Sequence, residues 1–172
     1  MIHLKWRMIM KKTCAKYASK LIHDGMVVGL GGGSTIQYLI DYVKDKDIQV
    51  VTPSVKTALK AQKEGLPVLN TQFVDHIDIA FDGCDEVDSN LNALKSGGGI
   101  HTQEKIIASM ADEYIVLVDE TKFHKTLAFK APVVVEVLPR AYSIVKKKLE
   151  QLNGNVVERT SNNKDGIMIS DE

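Results

Sequence analysis

Three short segments of this chain carry the residue types that can do chemistry, and the first two follow apolar runs. The first is a glycine-rich turn over residues 29–35, which reads Gly-Leu-Gly-Gly-Gly-Ser-Thr. Glycines let backbone N–H groups approach an anion, and Ser34 and Thr35 add hydroxyls where the dipole of the following helix favours phosphate. The turn is not a dinucleotide fingerprint, because Ser34 replaces the third glycine, and not a P-loop, because no lysine precedes Ser34. It predicts a site for a small phosphorylated ligand; the alternative is a tight turn that only needs small residues.

The second segment is acidic and follows another apolar run as Asp82-Gly83-Cys84-Asp85-Glu86-Val87-Asp88. Open α/β sheets bind ligands at the carboxyl ends of their strands, so Asp82 and Asp85 are interpreted as functional. Glu86 and Asp88 fit better as a solvated acidic loop or an Asx turn. A Mg²⁺ or Ca²⁺ site is the rival interpretation, but the spacing is not that of a calcium loop and no histidine is spaced to help. Cys84 fits a small buried residue better than a nucleophile.

The third segment reads Lys-Ser-Gly-Gly-Gly over residues 95–99 and leads into a helix with Glu104 in its first turn. Taken alone, Glu104 can simply complement the helix dipole and Lys95 can be a surface charge. Together with the other two segments, however, the residues supply one lysine, two aspartates and a glutamate. Proton transfer on a phosphorylated small molecule requires that set, and Lys122, after a later strand, can reach the same edge. The isolated His101 is interpreted as structural.

The elements that position these segments alternate between strand and helix. Buried strands are predicted over residues 26–30, 48–52, 67–69, 77–81 and 114–118, and helices over residues 11–23, 36–43, 54–64 and 103–110. This alternation predicts an α/β fold, with a parallel sheet covered by helices on both faces in residues 1–130. Residues 131–172 change rhythm and predict a small α+β piece. It contains a strand over 133–137, a helix over 140–152, and a hairpin of 155–159 with 167–170 around a turn at 161–166.

Composition excludes several classes of protein. The 172 residues are 44% hydrophobic and 26% charged, as in ordinary globular domains. Lysine plus arginine (22) equals aspartate plus glutamate (22), so no overall charge attracts nucleic acid or anionic lipid. No apolar run is long enough to span a membrane. Two cysteines cannot form a disulfide framework, and a cytoplasmic protein is expected.

The three segments, in this order and spacing, resemble those of the type A ribose-5-phosphate isomerases, and the resemblance extends from Lys11 to about Ser170. It implies a Rossmann-like domain followed by an incomplete ferredoxin-like α+β domain. It also implies that D-ribose 5-phosphate and D-ribulose 5-phosphate interconvert through an enediolate, in the non-oxidative branch of the pentose phosphate pathway. No metal or other cofactor is expected, and the chain is expected to form a homodimer or homotetramer.

Roles carry over from the resemblance residue by residue. Glu104 matches the general base, and Lys95 matches the cation that stabilises the enediolate. Asp82 and Asp85 match the carboxylates that open the sugar ring and move hydroxyl protons. The matching substrate-binding positions are Lys11, Gly32, Gly33, Ser34, Thr35, Gly83, Cys84, Ser96, Gly97, Gly98 and Lys122.

Three departures from the family pattern leave alternatives open. Gly32 stands where the family usually has threonine, and Ser96 replaces a usual glycine. The chain also lacks the family's last helix and strand and the return to the main sheet, so an exposed apolar face, reduced stability or a covering partner subunit is expected. The alternative function is a non-catalytic sugar-phosphate-binding protein or sensor. A weaker one is a related sugar-phosphate or CoA-transfer enzyme on a similar fold.

Overall fold

A five-stranded parallel sheet organises the first of the two units into which the chain divides, residues 1–133 and 134–172. The computed structural model describes residues 2–95, 97–161 and 164–168. The strand order is β3-β2-β1-β4-β7, and every neighbouring pair is parallel, as predicted. The strands are β1 (Val27–Leu30), β2 (Gln49–Val51), β3 (Val68–Leu69), β4 (Ile77–Asp82) and β7 (Ala111–Val116).

Four helices accompany this sheet: α1 (Ile2–Ala18), α2 (Ser34–Val43), α3 (Val55–Lys63) and α4 (His101–Met110). Helix α2 buries the four apolar residues whose spacing predicted it: Ile36, Leu39, Ile40 and Val43. Helix α3 is capped as predicted, because the Ser54 hydroxyl accepts a hydrogen bond from the Thr57 backbone N–H. None of the helices in the described part of the chain is long and apolar enough to cross a bilayer.

Helix α1 departs from its predicted bounds at both ends. It begins at Ile2 rather than at residue 11, and it gives way to a 3₁₀ turn (Ser19–Leu21) before residue 23. The early start has a simple cause, since residues 2–10 contain neither glycine nor proline to interrupt a helix. Its buried face, with Ala15 and Ala18, joins the core that α2 and the sheet share.

Helix α4 packs closely against the sheet at Gly29, and this contact sets the position of the helix. A Cβ added at Gly29 would lie 2.6 Å from the Ala80 Cβ and 2.8 Å from the Ile107 Cγ2. Only Glu104 and Ile107 of α4 are buried, and they lie three residues apart on the same helical face. The absence of a side chain at Gly29 therefore lets the face that carries Glu104 approach the end of β4.

A small three-stranded sheet follows β4 and corrects the interpretation of the acidic loop. Its strands β5 (Glu86–Asp88), β6 (Ala93–Leu94) and β8 (Phe123–His124) run in the order β6-β5-β8. Glu86 and Asp88 are buried rather than solvated. Glu86 accepts hydrogen bonds from the backbone N–H groups of Ala128 and Ala131, at 3.0 and 2.6 Å. The Asx turn at Asp88 is confirmed, because its Oδ1 accepts from the backbone N–H groups two and four residues later.

The second unit contains a 3₁₀ turn (Pro139–Ala141), helix α5 (Tyr142–Gln151) and a hairpin of β9 (Thr160–Ser161) with β10 (Lys164–Ile167). The predicted strand over residues 133–137 is wrong, because that segment belongs to no sheet of the described residues. The hairpin forms, but its two strands lie closer to the turn than the predicted segments do. Pairing next to the turn closes a shorter loop and so costs less conformational entropy. Part of the predicted turn, residues 162 and 163, lies outside the described residues.

Apolar side chains are exposed in this second unit, as expected. The exposed residues are Val135, Leu138, Ile144, Leu152, Val157 and Met168, and no residue of α5 is buried.

The Gly29 contact predicts a specific loss of stability. Gly29→Ala should lower the free energy of unfolding by about 1–3 kcal/mol, because the added methyl group overlaps Ala80 and Ile107 in a packed core. Adding Ala80→Gly removes one of the two overlaps and should restore part of the loss, as denaturant unfolding measures. A Gly29→Ala variant as stable as the wild type would contradict the close packing of α4.

Candidate active site

A cleft of about 630 Å³ lies beyond the carboxyl ends of β1, β4 and β7. Every predicted site residue that the structure describes lines it. These are Lys11, Gly32, Gly33, Ser34, Thr35, Asp82, Gly83, Cys84, Asp85, Lys95, Gly97, Gly98, Glu104 and Lys122. Ser96 was also predicted and lies outside the described residues. The three sequence segments thus converge: the first two follow parallel strands that end at one edge of the sheet, and the third follows β6 of the small sheet.

Asp82, the last residue of β4, is the most enclosed acidic group of the cleft, with 4% of its surface exposed. Its Oδ1 accepts the Gly83 backbone N–H at 2.7 Å. Its Oδ2 lies 3.0 Å from the Lys95 Nζ and 3.3 Å from the Tyr114 hydroxyl. A Cβ at Gly31 would lie 2.0 Å from Oδ1, so a glycine there makes room for this carboxylate.

The Lys95 ammonium group lies between two carboxylates. It is 3.0 Å from the Asp82 Oδ2 and 3.1 Å from the Glu104 Oε2, and it also donates to the Gly83 carbonyl. The Glu104 Oε2 is buried, and no described residue donates a well-directed hydrogen bond to it. This oxygen therefore has a cation beside it and a lone pair left to accept a proton.

Burial and charge set the protonation of this cluster. Burial raises the pKa of Glu104, and the nearby Asp82 charge raises it further, while Lys95 opposes both. Burial alone would lower the pKa of Lys95, but the Asp82 and Glu104 carboxylates outweigh it and hold that pKa above its ordinary value. Lysine therefore stays charged, and Glu104 is a stronger base than an ordinary carboxylate.

Asp85 shapes the second glycine turn. Its Oδ2 accepts the Gly97 backbone N–H at 3.0 Å, and its own N–H donates to the Leu94 carbonyl at 2.8 Å. A Cβ at Gly97 would lie 3.0 Å from the Asp85 Oδ1, which is tight for a side chain. Asp85 therefore joins the acidic loop to the turn that leads into α4.

The opposite end of the cleft is suited to an anion. Helix α2 begins after Gly33, whose φ of +92° glycine adopts readily, and no side chain caps the helix. The Lys11 Nζ donates to the Ser34 hydroxyl at 2.7 Å, and the Lys122 Nζ donates to the Cys84 carbonyl at 2.5 Å. The helix N-terminus and the Lys11 ammonium group thus provide positive potential at the start of α2, and Lys122 adds a second cation beside the acidic loop.

Cys84 itself is buried, as expected for a small packing residue. Burial raises the pKa of its thiol, although Lys122 and Lys95 act in the opposite direction. A thiol with a raised pKa is a poor nucleophile.

A metal centre was the rival interpretation of the acidic segment. Within residues 2–95, 97–161 and 164–168, no three His, Cys, Asp or Glu side chains are arranged to hold an ion. Between Asp82 and Glu104, the position that a cation would take holds the Lys95 ammonium group.

Some residues of this region were not identified from the sequence. Cys14 and Tyr17 line the cleft from α1. Cys14 lies three residues from Lys11 and therefore near the same side of the helix, a signal that could have indicated it, whereas the six-residue spacing of Tyr17 gives no such signal. Tyr114 reads as an ordinary apolar position in a strand, and only the register of β4 with β7 shows that its hydroxyl reaches Asp82.

Comparison with known families gives two matches. Residues 49–172 match the family described as Ribose 5-phosphate isomerase A (phosphoriboisomerase A). Residues 7–71 match the DeoR C terminal sensor domain. The second match ends before Asp82, Lys95 and Glu104.

Individual relatives agree with the first match. The chain is 42% identical to ribose-5-phosphate isomerase A of Prochlorococcus marinus, over 95% of this chain and 72% of the relative. It is 45% identical to the Pyrococcus abyssi protein of the same name, over 94% of this chain and 74% of that one.

Solved structures agree as well. The isomerase of Methanocaldococcus jannaschii superposes with a TM-score of 0.88 at 39% identity, over 94% of this chain and 75% of that one. A D-ribose-5-phosphate isomerase in complex with phospho-erythronic acid gives a TM-score of 0.88 at 43% identity, over 94% of this chain and 74% of that one. The translation initiation factor eIF-2B of Pyrococcus horikoshii shares the fold alone, with a TM-score of 0.59 at 20% identity, over 78% and 55%.

The position of Lys95 predicts a pH-dependent loss of stability. Lys95→Met leaves Asp82 and Glu104 facing each other without a cation, which should cost about 2 kcal/mol near pH 8. Because the folded-state pKa of Glu104 is already raised and rises further without Lys95, folding favours its protonated form. The loss should therefore shrink as the pH falls to about 5, as thermal melts at the two pH values measure.

The matched control is Lys105→Met, which removes an exposed lysine of the same region. Adding Glu104→Gln to Lys95→Met should recover stability near pH 8. Equal destabilisation at both pH values would show that the loss comes from packing rather than from charge.

Proposed function

This chain belongs to the ribose 5-phosphate isomerase A family, and we propose that it interconverts D-ribose 5-phosphate and D-ribulose 5-phosphate, with Glu104 as the general base. The observation that carries the proposal is the Lys95 ammonium group, 3.1 Å from the Glu104 carboxylate in a cleft with an anion-binding end. A C–H bond next to a carbonyl is a weak acid, so its base must be close, partly desolvated and accompanied by a cation. Glu104 and Lys95 meet these requirements.

The phosphate group of the substrate is proposed to bind at the start of α2. There the backbone N–H groups of Gly33, Ser34 and Thr35 and the helix dipole meet the ammonium groups of Lys11 and Lys122. Binding the phosphate at this end fixes the distance of the sugar carbons from Glu104. Among the other predicted positions, Gly83, Cys84, Gly97 and Gly98 border the sugar in this arrangement.

The proton transfer then needs one base and one cation. Glu104 removes the proton from C2 of the open-chain aldose, and an enediolate forms as the C1 carbonyl oxygen gains negative charge. Lys95 stabilises that charge, an effect that is often the largest single contribution to such catalysis. Glu104 returns the proton to C1, and the hydroxyl proton of O2 passes to O1, which gives the ketose.

Asp82 and Asp85 are proposed to open the furanose ring and move the hydroxyl protons. Both carboxylates lie in the cleft, and the Lys95 ammonium is in contact with Asp82. The related structure in complex with phospho-erythronic acid supports the enediolate step instead, because its ligand is a phosphorylated acid. A carboxylate carries two oxygens and a negative charge, as the enediolate does on O1 and O2.

Assembly and location follow the same family. We propose a cytoplasmic homodimer or homotetramer in the pentose phosphate pathway. In this assembly the exposed Leu91, Phe123 and Phe129 of the first unit are available for contact with a partner subunit.

The decisive assay compares the wild type with Glu104→Gln in the presence of EDTA. Wild-type turnover of ribose 5-phosphate should survive EDTA, since Lys95 supplies the cation, and kcat should fall by about 10²- to 10⁴-fold in the variant. Glu104 works as a carboxylate, and its pKa is raised above that of an ordinary glutamate. As the pH is lowered, kcat/KM should therefore begin to fall at a higher pH than it would with an ordinary glutamate. Glu113→Gln, which changes an exposed carboxylate, is the control.

Two outcomes would contradict the proposal. Turnover abolished by EDTA would require a metal. No turnover, with ribose 5-phosphate still raising the melting temperature, would favour the binding protein or sensor.

Gly31 and Gly32 allow a test of the placement of Asp82. Gly31→Ala places a methyl group on the Asp82 Oδ1, so the carboxylate must move and kcat should fall by about 100-fold. A Cβ at Gly32 meets nothing closer than 3.6 Å, so Gly32→Ala should retain most of kcat, with any loss in KM. Steady-state kinetics of the two variants give the comparison. Equal losses of kcat would mean that the whole turn, rather than Asp82, is sensitive.

A further inference from the structure

Tyr114 supports the catalytic cluster from outside the cleft. In the register of β7 with β4, Tyr114 pairs with Ala80, and Val116, two residues later, pairs with Asp82. Side chains two positions apart on a strand share a face of the sheet. The Tyr114 ring packs in the cluster that contains Ala80 and Ile107, beneath α4. From there its hydroxyl reaches the Asp82 Oδ2 at 3.3 Å.

The contacts of Asp82 show what this hydroxyl does. Oδ1 accepts the Gly83 backbone N–H, and Oδ2 receives both the Tyr114 hydroxyl and the Lys95 ammonium. Burial and the Asp82 charge raise the pKa of Tyr114 to about 12, so its hydroxyl stays protonated and donates. Lys95 therefore shares Oδ2 with a second donor, which weakens the pull of Asp82 on the ammonium group. The ammonium group can then lie as close to Glu104 as to Asp82.

We propose that Tyr114 is a positioning residue for the isomerisation: its hydroxyl holds the Asp82 carboxylate and thereby keeps Lys95 against Glu104. The inference rests on the proposed function, since it gives Tyr114 a part in the same proton transfer. Tyr114 touches no reacting atom in this scheme, because it lies behind Asp82 and outside the residues that line the cleft.

The effect on Glu104 has a definite sign. The charged and titratable groups that face Glu104 are Lys95 after β6, Asp82 at the end of β4, Asp85 in the acidic loop and Tyr114 on β7. Without the tyrosine hydroxyl, the Asp82 Oδ2 loses a hydrogen-bond donor and attracts the Lys95 ammonium group more strongly. Both changes leave Glu104 in a more negative environment, so its pKa rises.

The test uses Tyr114→Phe, which keeps the ring and removes only the hydroxyl. We expect kcat to fall about tenfold with little change in KM, because the hydrogen bond acts on the base and not on substrate binding. The acid limb of kcat/KM should move up by about half a pH unit. The control is Tyr38→Phe, which removes the hydroxyl of another half-buried tyrosine, packed against the other core cluster, and should match the wild type.

A second measurement does not depend on turnover. The ¹³C signal of the Glu104 carboxyl, assigned with Glu104→Gln, gives its pKa directly in the wild type and in Tyr114→Phe. A higher pKa in Tyr114→Phe supports the inference even if the wild type fails to isomerise ribose 5-phosphate, which would refute the proposed function alone. An unchanged Glu104 pKa would overturn the inference. So would a fall in kcat that only parallels a lower melting temperature.

Discussion

The Lys95 ammonium group between two buried carboxylates is the interaction on which the rest of the site depends. Two ionised carboxylates cannot lie this close in a desolvated cleft without a cation between them. The backbone makes the arrangement possible at two glycines, since Gly31 leaves room for Asp82 and Gly29 lets α4 bring Glu104 down onto the sheet. The strand ends and the helix face are therefore arranged around one charge. Adding one methyl group at either glycine therefore disturbs the cluster directly, even though neither methyl group needs to contact a substrate to do so.

This cluster trades stability for basicity. Burial and the charge of Asp82 make Glu104 a stronger base than an exposed carboxylate, which costs folding free energy whenever Glu104 is ionised. Lys95 offsets part of that cost in the resting protein. In the proposed mechanism the same ammonium group then stabilises the oxygen on which charge develops, so one side chain serves the ground state and the reaction. A metal ion can play both parts, but the occupancy of a metal site depends on the concentration of the ion, whereas Lys95 is part of the chain.

The sequence predicted the parts of the structure that local physics determines. Strands buried on both faces give continuous apolar runs, and glycine turns at their ends indicate where an anion can approach, so the sheet and the lining of the cleft followed from the pattern. Contacts between distant segments left no such signal. Glu86 is buried because backbone N–H groups more than 40 residues away donate to it. Strands of two residues, such as β6 and β8, are too short to show alternation. The segment at 133–137 has the composition of a strand but belongs to no sheet of the described residues.

In the proposed mechanism the start of α2 holds the phosphate and later segments carry out the proton transfer, and this division explains why fold alone does not identify the function. The match to a sensor family ends at residue 71, so it covers the glycine turn and α2 but none of the acidic cluster. A βα unit with a free helix N-terminus is sufficient to hold a phosphate group. Proton transfer requires more: a base at a set distance from the phosphate, a cation beside it and a rigid support. Here β4, the turn at Lys95 and α4 provide these, and each belongs to the part of the chain that only the isomerase family matches.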